Sequence, residues 1–149
     1  MRSSSIYIIA LVGAVLAPIA SHAQAEDWLA FSSKVNGNRE IMLVRADGTG
    51  LRNLTNNPAF DDKPCWSADG EQLAFVSDRT GNDEIFVMNV ASGKVKNVSN
   101  HESTDRDPSF SSDGTQVVFA SERTGNSDLF VVPSAGGAPV NITNDPAWD

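Results

Sequence analysis

Three aspartates recur at one spacing of 44 residues, Asp61, Asp105 and Asp149, and the first two sit in denser polar runs, Asp61-Asp62 and Asp105-Arg106-Asp107. Carboxylate oxygens gathered around one point bind hard cations, and Ca²⁺ takes about 6 to 8 of them. Asp61, Asp105 and Asp149 are therefore the candidate metal site of this chain, with Ca²⁺ as its candidate cofactor. Aspartates that precede a strand also bond turn backbone, which is the competing use of the same residues. Arg79 and Arg123 each adjoin an acid, Asp78 and Glu122, and read as loop-stabilising partners; Val35 holds the corresponding earlier position.

Other chemistries find little to build on. The chain has no G-x-S-x-G elbow to present a nucleophile. His101 lies in a polar loop at the position taken by Asn57 and Asp145, and a single Cys with two His is a poor zinc set. Cys65 has no second cysteine to bridge and Ser109 as its counterpart, so it reads as a small residue beside a strand. Asn53-Leu54-Thr55, Asn97-Val98-Ser99 and Asn141-Ile142-Thr143 match the glycosylation sequon, but their recurrence marks a strand-and-turn motif. No catalytic residue is assigned, and the expectation is a chain that is not an enzyme.

The elements that position these residues follow from the same period. Phe31, Phe75 and Phe119 recur, as do Gly37, Gly81 and Gly125, in three copies of one unit. A period of about 40 to 50 residues fits a propeller blade or a helical repeat, each a unit that buries its apolar face only against a neighbour. Within the unit the apolar runs are short and β-rich (72–77, 84–89, 95–99) and broken by Gly, Asn, Asp and Pro, which selects strands. A strand ending at Trp66 leads into the turn Ser67-Ala68-Asp69-Gly70, repeated as Ser111-Ser112-Asp113-Gly114, where Gly70 and Gly114 supply a positive φ. The expected fold is all-β, an incomplete β-propeller of about three four-stranded antiparallel blades, with units near 28–65, 66–109 and 110–149.

Trp66-Ser67-Ala68-Asp69-Gly70, Leu73-Ala74-Phe75, Ser77 to Phe86 and Val98-Ser99-Asn100 are similar to the TolB-like (WD40-like, PD40) propeller repeat. That repeat reads W-S-P-D-G, I-A-F, S-x-R-x-G-N-x-E-I-F/Y and L-T-x-N. The likeness covers nearly all of 28–149 and implies a non-catalytic periplasmic propeller scaffold for protein–protein interaction. It also implies a channel able to hold cations, a peptidoglycan-associated lipoprotein as partner and a role in Tol-Pal type cell-envelope integrity. The alternative is the propeller of a prolyl-oligopeptidase-like serine peptidase whose catalytic domain lies outside this sequence.

Residues 1–25 read as a signal peptide: Arg2 gives a positive start, Ile6 to Ala17 an apolar stretch and Ala23-Gln24-Ala25 a cleavage site. The apolar stretch is shorter than the about 20 residues of a membrane span, so no membrane span is expected after cleavage, and the mature chain is expected in the periplasm or secreted. Cleavage removes one base and no acid, moving the net charge from -8 to -9, which disfavours nucleic acid as a partner. Both ends align to mid-blade positions. A partial sequence or truncated product is expected, with open blade edges able to drive self-association. Two stability expectations follow: Phe75 lies between blades, and Asp105, in a mouth loop, is dispensable for stability.

Overall fold

The computed structural model describes residues 28–144, so the signal segment 1–25 and Asp149 lie outside the described residues. The first sheet contains β1 (Trp28–Val35), β2 (Asn38–Arg45) and β3 (Arg52–Asn53). The second contains β4 (Asp61–Trp66), β5 (Gln72–Ser77), β6 (Glu84–Asn89) and β7 (Val95–Asn97). The third contains β8 (Asp105–Phe110), β9 (Gln116–Ser121), β10 (Asp128–Pro133) and β11 (Val140–Asn141). Every pairing is antiparallel between strands consecutive in sequence. These are three blades of an incomplete β-propeller, the first with three strands, and no helix among the described residues is long and apolar enough to cross a membrane.

Turn chemistry sets the registers. In the β4–β5 turn Gly70 donates to the Ser67 carbonyl at 3.0 Å, while Ser67 Oγ and the Glu71 N–H both donate to Asp69 Oδ1, at 2.6 and 3.0 Å. Gly70 and Gly114 share a φ of 71°, a conformation that costs glycine nothing because it has no Cβ. The serine bond is the leading cause that lowers the Asp69 and Asp113 carboxyls, Asp113 to about 2.

The inner strands carry a second device. Register shifts between Asp62 and Cys65 and between Arg106 and Ser109 coincide with left-handed Lys63 (φ 52°) and Asp107 (φ 53°). Each bulge is followed by a proline, Pro64 or Pro108, which a ladder tolerates at such an interruption. Lys63 Nζ meets Asp107 Oδ1 at 2.6 Å between the two bulges.

The core is a stack of faces. Ile41 of blade 1 packs with Leu73, Phe75, Phe86 and Met88 of blade 2, flanked by Trp66. On its other face blade 2 presents Ala74, Val76, Ile85, Val87 and Val98 to Phe119, Phe130, Val117 and Val132 of blade 3. Phe75 and Phe119 are fully buried between blades, whereas Phe31, on the blade 1 face that no described blade covers, is 39 % exposed. The repeat thus gives three phenylalanines one register but not one environment. The sheets also break within 54–60 and 98–104, a few residues before the unit boundaries drawn from the sequence.

Candidate functional site

The polar residues repeated at 44-residue intervals meet inside blades 2 and 3, over the phenylalanine pair of each. Asp61 is the first residue of β4 and lies opposite Ser77 of β5. Arg79, two residues beyond Ser77, turns back so that Nη2 meets Asp61 Oδ1 at 2.8 Å and Nε donates to Ser77 Oγ at 2.9 Å. Its guanidinium covers Phe75 at 5.2 Å and Phe86 at 4.8 Å. Blade 3 reproduces the arrangement: Arg123 Nη2 meets Asp105 Oδ2 at 2.9 Å, Nε donates to Ser121 Oγ at 2.9 Å, and the Phe119 and Phe130 rings lie 5.4 and 4.7 Å away. The two ring pairs have identical geometry, 6.0 Å and 27°.

This geometry changes the reading of the acidic residues. Asp61 and Asp105 are fully buried members of strands, not exposed residues of the preceding connection. Each has its own arginine, and Asp149 lies outside the described residues. Among the described residues no three His, Cys, Asp or Glu side chains are grouped so as to hold a metal ion. A carboxylate sealed against a guanidinium is held by charge-assisted hydrogen bonds, and removing one partner leaves a buried charge uncompensated. The expectation that Asp105 is dispensable for stability is therefore reversed.

A second acidic series escaped the sequence reading. Glu40, Glu84 and Asp128 are buried at the same repeat position. Glu40 accepts from Thr55 Oγ1 at 2.6 Å and the Asn57 N–H at 3.2 Å, and Glu84 from Ser99 Oγ and the His101 N–H at 2.9 Å. Asp128 accepts from Asn141 Nδ2 at 2.8 Å and Thr143 Oγ1 at 3.3 Å. The same hydroxyls accept from the backbone N–H groups of Ile41, Ile85 and Leu129 at 3.1, 2.9 and 3.0 Å. This is the physical content of the Asn-x-Ser/Thr motif: its hydroxyl satisfies the strand beside it. Its asparagine accepts from the backbone three residues on, where Asn56, Asn100 and Asn144 adopt φ of 40°, 41° and 47°. Burial raises the Glu84 carboxyl and neighbouring Asp105 adds to the effect, against the bonds from Ser99 and His101. The signal that could have found this series is an acid at one repeat position in all three copies, opening β6 and β10 and two residues into β2.

The remaining residues fall into place around these clusters. Gly81 and Gly125 close the loops that carry the arginines, donating to Asp78 and Glu122 carbonyls at 2.9 and 3.0 Å. His101 lies in the connection between blades 2 and 3, where its Nδ1 accepts from the Ser103 N–H at 3.1 Å. Asn82 Nδ2 clamps the same connection through the carbonyls of His101 and Ser103, at 2.9 and 3.0 Å. On the exposed inner side, Thr104, Arg106, Asp107 and Glu122 line a shallow cavity of about 120 Å³, with Arg106 and Glu122 paired at 2.7 Å.

The fold recurs in solved structures. A TolB-type protein from Agrobacterium tumefaciens matches with a TM-score of 0.74 and 29% identity, over 83% of this chain and 44% of that one. TolB from Acinetobacter baumannii matches with a TM-score of 0.66 and 22% identity, over 78% and 30% of the two chains. The β-propeller domain of the Trilobed protease from Pyrococcus furiosus matches with a TM-score of 0.57 and 14% identity, over 79% and 40%. This chain therefore spans less than half the length of those structures. A search of the curated proteins found no match. The model of the PD40 family, the TolB beta propeller domain, matches residues 4–103 and 79–149, and the chain belongs to that family.

Proposed function

We infer that this chain is a non-catalytic binding scaffold, exported to the periplasm or secreted, that presents its propeller surface to a protein partner. The observation that carries the reading is the family match over residues 4–103 and 79–149. The chemistry of the recurrent polar residues supports it. The buried acids, the arginines and the recurrent hydroxyls are bonded to one another and to backbone inside their own blades, so their work is to hold each blade's strands and loops in place. What projects outward is the exposed charge of Lys63, Arg106 and Asp107 on the inner strands and of Glu122 just after β9.

Within this reading, the partner is a peptidoglycan-associated lipoprotein of the outer membrane, and the setting is cell-envelope integrity of the Tol-Pal type. The test is a titration of the purified chain with the soluble part of such a lipoprotein, followed by calorimetry. Saturable binding that weakens with salt supports the scaffold reading. No heat at about 100 μM, where an association of only about -5.5 kcal/mol would register, overturns the choice of partner. Export is read separately by mass spectrometry of periplasmic material: a mature chain starting at Glu26 or Gln24 supports it, and an intact Met1 in the membrane fraction overturns it. The peptidase reading has in its favour a likeness of fold alone, at 14% identity to a protease propeller domain. A G-x-S-x-G elbow in the coding sequence beyond Asp149 would favour it over the scaffold.

A further inference from the structure

The two outer faces of the arc carry different halves of the packing seen between the blades. Blade 1 turns Leu29 and Phe31 outward, 49 % and 39 % exposed, beside half-buried Met42 and Val44. These are the repeat counterparts of Leu73, Phe75, Phe86 and Met88, which blade 2 buries against blade 1. The far face of blade 3 carries Val118, Ala120, Leu129 and Val131, all half-buried, with Ile142 54 % exposed. Those are the counterparts of Ala74, Val76, Ile85, Val87 and Val98, which blade 2 buries against Phe119. One end thus offers the phenylalanine-bearing face and the other the aliphatic face that receives it.

Charge is divided in the same sense. Residues 28–60, up to the start of blade 2, hold four Lys or Arg against two acids, while residues 105–144 of blade 3 hold two Arg against five acids. A blade 1 surface set against a blade 3 surface therefore brings unlike charge together, whereas blade 3 against blade 3 brings like charge together. Unlike pairing steers the encounter and fixes its orientation.

We propose that two copies of this chain associate head to tail, blade 1 of each stacking on blade 3 of the other, to close one ring. The contact is heterologous, because the mating faces differ, and such contacts either close or grow without limit. Two three-blade arcs give six blades, within the about 4 to 8 that close propeller rings. The stacking uses sheet faces and repeats the packing already seen between blades 1 and 2 and between blades 2 and 3. It differs from edge-to-edge strand pairing, in which these faces stay exposed. A further blade of the same repeat would fit the same faces, and a second copy competes with it by carrying both halves.

The experiment uses the mature chain from Glu26 to Asp149 and two variants, Phe31→Glu and Ile142→Glu, one on each outer face. Both positions are exposed, so the variants keep the wild-type melting temperature in the isolated chain. Sedimentation at micromolar concentration should find a discrete two-chain species for wild type. Each variant alone has a charged residue in both of its ring contacts, and its association should weaken about tenfold or more, which corresponds to about 1.4 kcal/mol. An equal mixture of the two variants should regain a two-chain species, because one contact in the mixed pair joins two unaltered faces. A wild-type monomer, open-ended polymers, or a mixture that stays as dissociated as its components would each overturn the proposal.

Discussion

Blades 1 and 2 share one repeat, yet the connection between β1 and β2 differs completely from its counterpart between β5 and β6. In blade 1 the β1–β2 hairpin runs in unbroken register from Trp28↔Arg45 to Val35↔Asn38 and closes on Asn36 and Gly37, with φ of 51° and 93°. That is the two-residue turn a right-twisted hairpin favours. In blade 2 the ladder stops at Ser77↔Glu84, and the following residues leave it so that Arg79 reaches Asp61. The exchange of Lys34-Val35-Asn36 for Asp78-Arg79-Thr80 goes with the contrast. Val35, β-branched, continues a strand, while Arg79 leaves the strand for a buried carboxylate and two ring faces. A repeat keeps its strands by pattern and its loops by partners.

The largest expected effect separates the blades by burial. Phe75→Ala removes a fully buried ring from the junction of blades 1 and 2 and should cost about 3 to 5 kcal/mol. Phe31→Ala, at the same repeat position but 39 % exposed, should cost less than about 1 kcal/mol in the isolated chain, as surface changes do. Urea titrations of the two variants check the pair. Equal midpoint shifts would mean that Phe31 is covered in solution, the result expected where the chain has assembled.

Next is the ion pair. Asp105→Asn leaves Arg123, itself largely buried, facing a neutral amide and should cost about 2 to 4 kcal/mol, since losing one partner of a buried pair strands the other charge. Asp107→Asn touches only an exposed pair and should cost no more than about 1 kcal/mol. Thermal melts decide, and adding millimolar Ca²⁺ to wild type in the same experiment should leave the melt unchanged. A calcium-dependent rise that Asp105→Asn abolishes would restore the aspartates as cation ligands.

These two residues also mark what the sequence makes legible. The 44-residue period, the short strands and the Ser-x-Asp-Gly turns are local, and the eleven strands in three antiparallel sheets among the described residues follow from them. Burial of Asp61 and Asp105 is not local. Before a Lys-Pro or Asp-Pro dipeptide an aspartate reads as a loop residue, and only the β4–β5 register puts it beside an arginine 18 residues on. A trace was nevertheless present in the chain itself. Asp and Arg occur together in both later repeats, at 61 with 79 and at 105 with 123, while the unit that starts near Trp28 has Val35 in place of the arginine and no residue at the aspartate's position. The exposure of Phe31 was illegible for a different reason: a period assigns position, while burial depends on which faces have neighbours.

A smaller effect tests the blade carboxyls by pH. Burial and the nearby Asp105 raise Glu84 above its ordinary value of 4.5, so the folded chain holds this proton more tightly than the unfolded chain. Stability from this group is full below that ordinary value and is lost as pH rises through the raised one. Asp69 and Asp113 act oppositely and at lower pH. Their carboxyls are lowered from 3.8, Asp113 to about 2, and what they contribute disappears as pH falls through that range. Chemical denaturation between pH 4.5 and 7 should therefore give wild type a falling stability contribution that Glu84→Gln lacks. Parallel curves would show that Glu84 is as free to ionise in the folded chain as in the unfolded one.

The smallest effect comes from giving blade 1 the residue it lacks. Val35→Arg places a guanidinium where Arg79 and Arg123 stand in the other blades, next to Ser33, the counterpart of Ser77 and Ser121. Among the described residues it has no counterpart of Asp61 to meet, and its ring partner Phe31 is partly exposed. A cation over an exposed ring is worth about 0.5 to 1 kcal/mol. Against this, the variant gives up a β-branched residue paired with Asn38 at the end of an eight-residue strand, whose contribution has a similar size on a scale spanning about 1 kcal/mol. The two terms oppose each other, and the melting temperature should barely move. A clear gain would show that the arginine stabilises through the ring alone, and that the buried aspartates of blades 2 and 3 serve chiefly to set its direction.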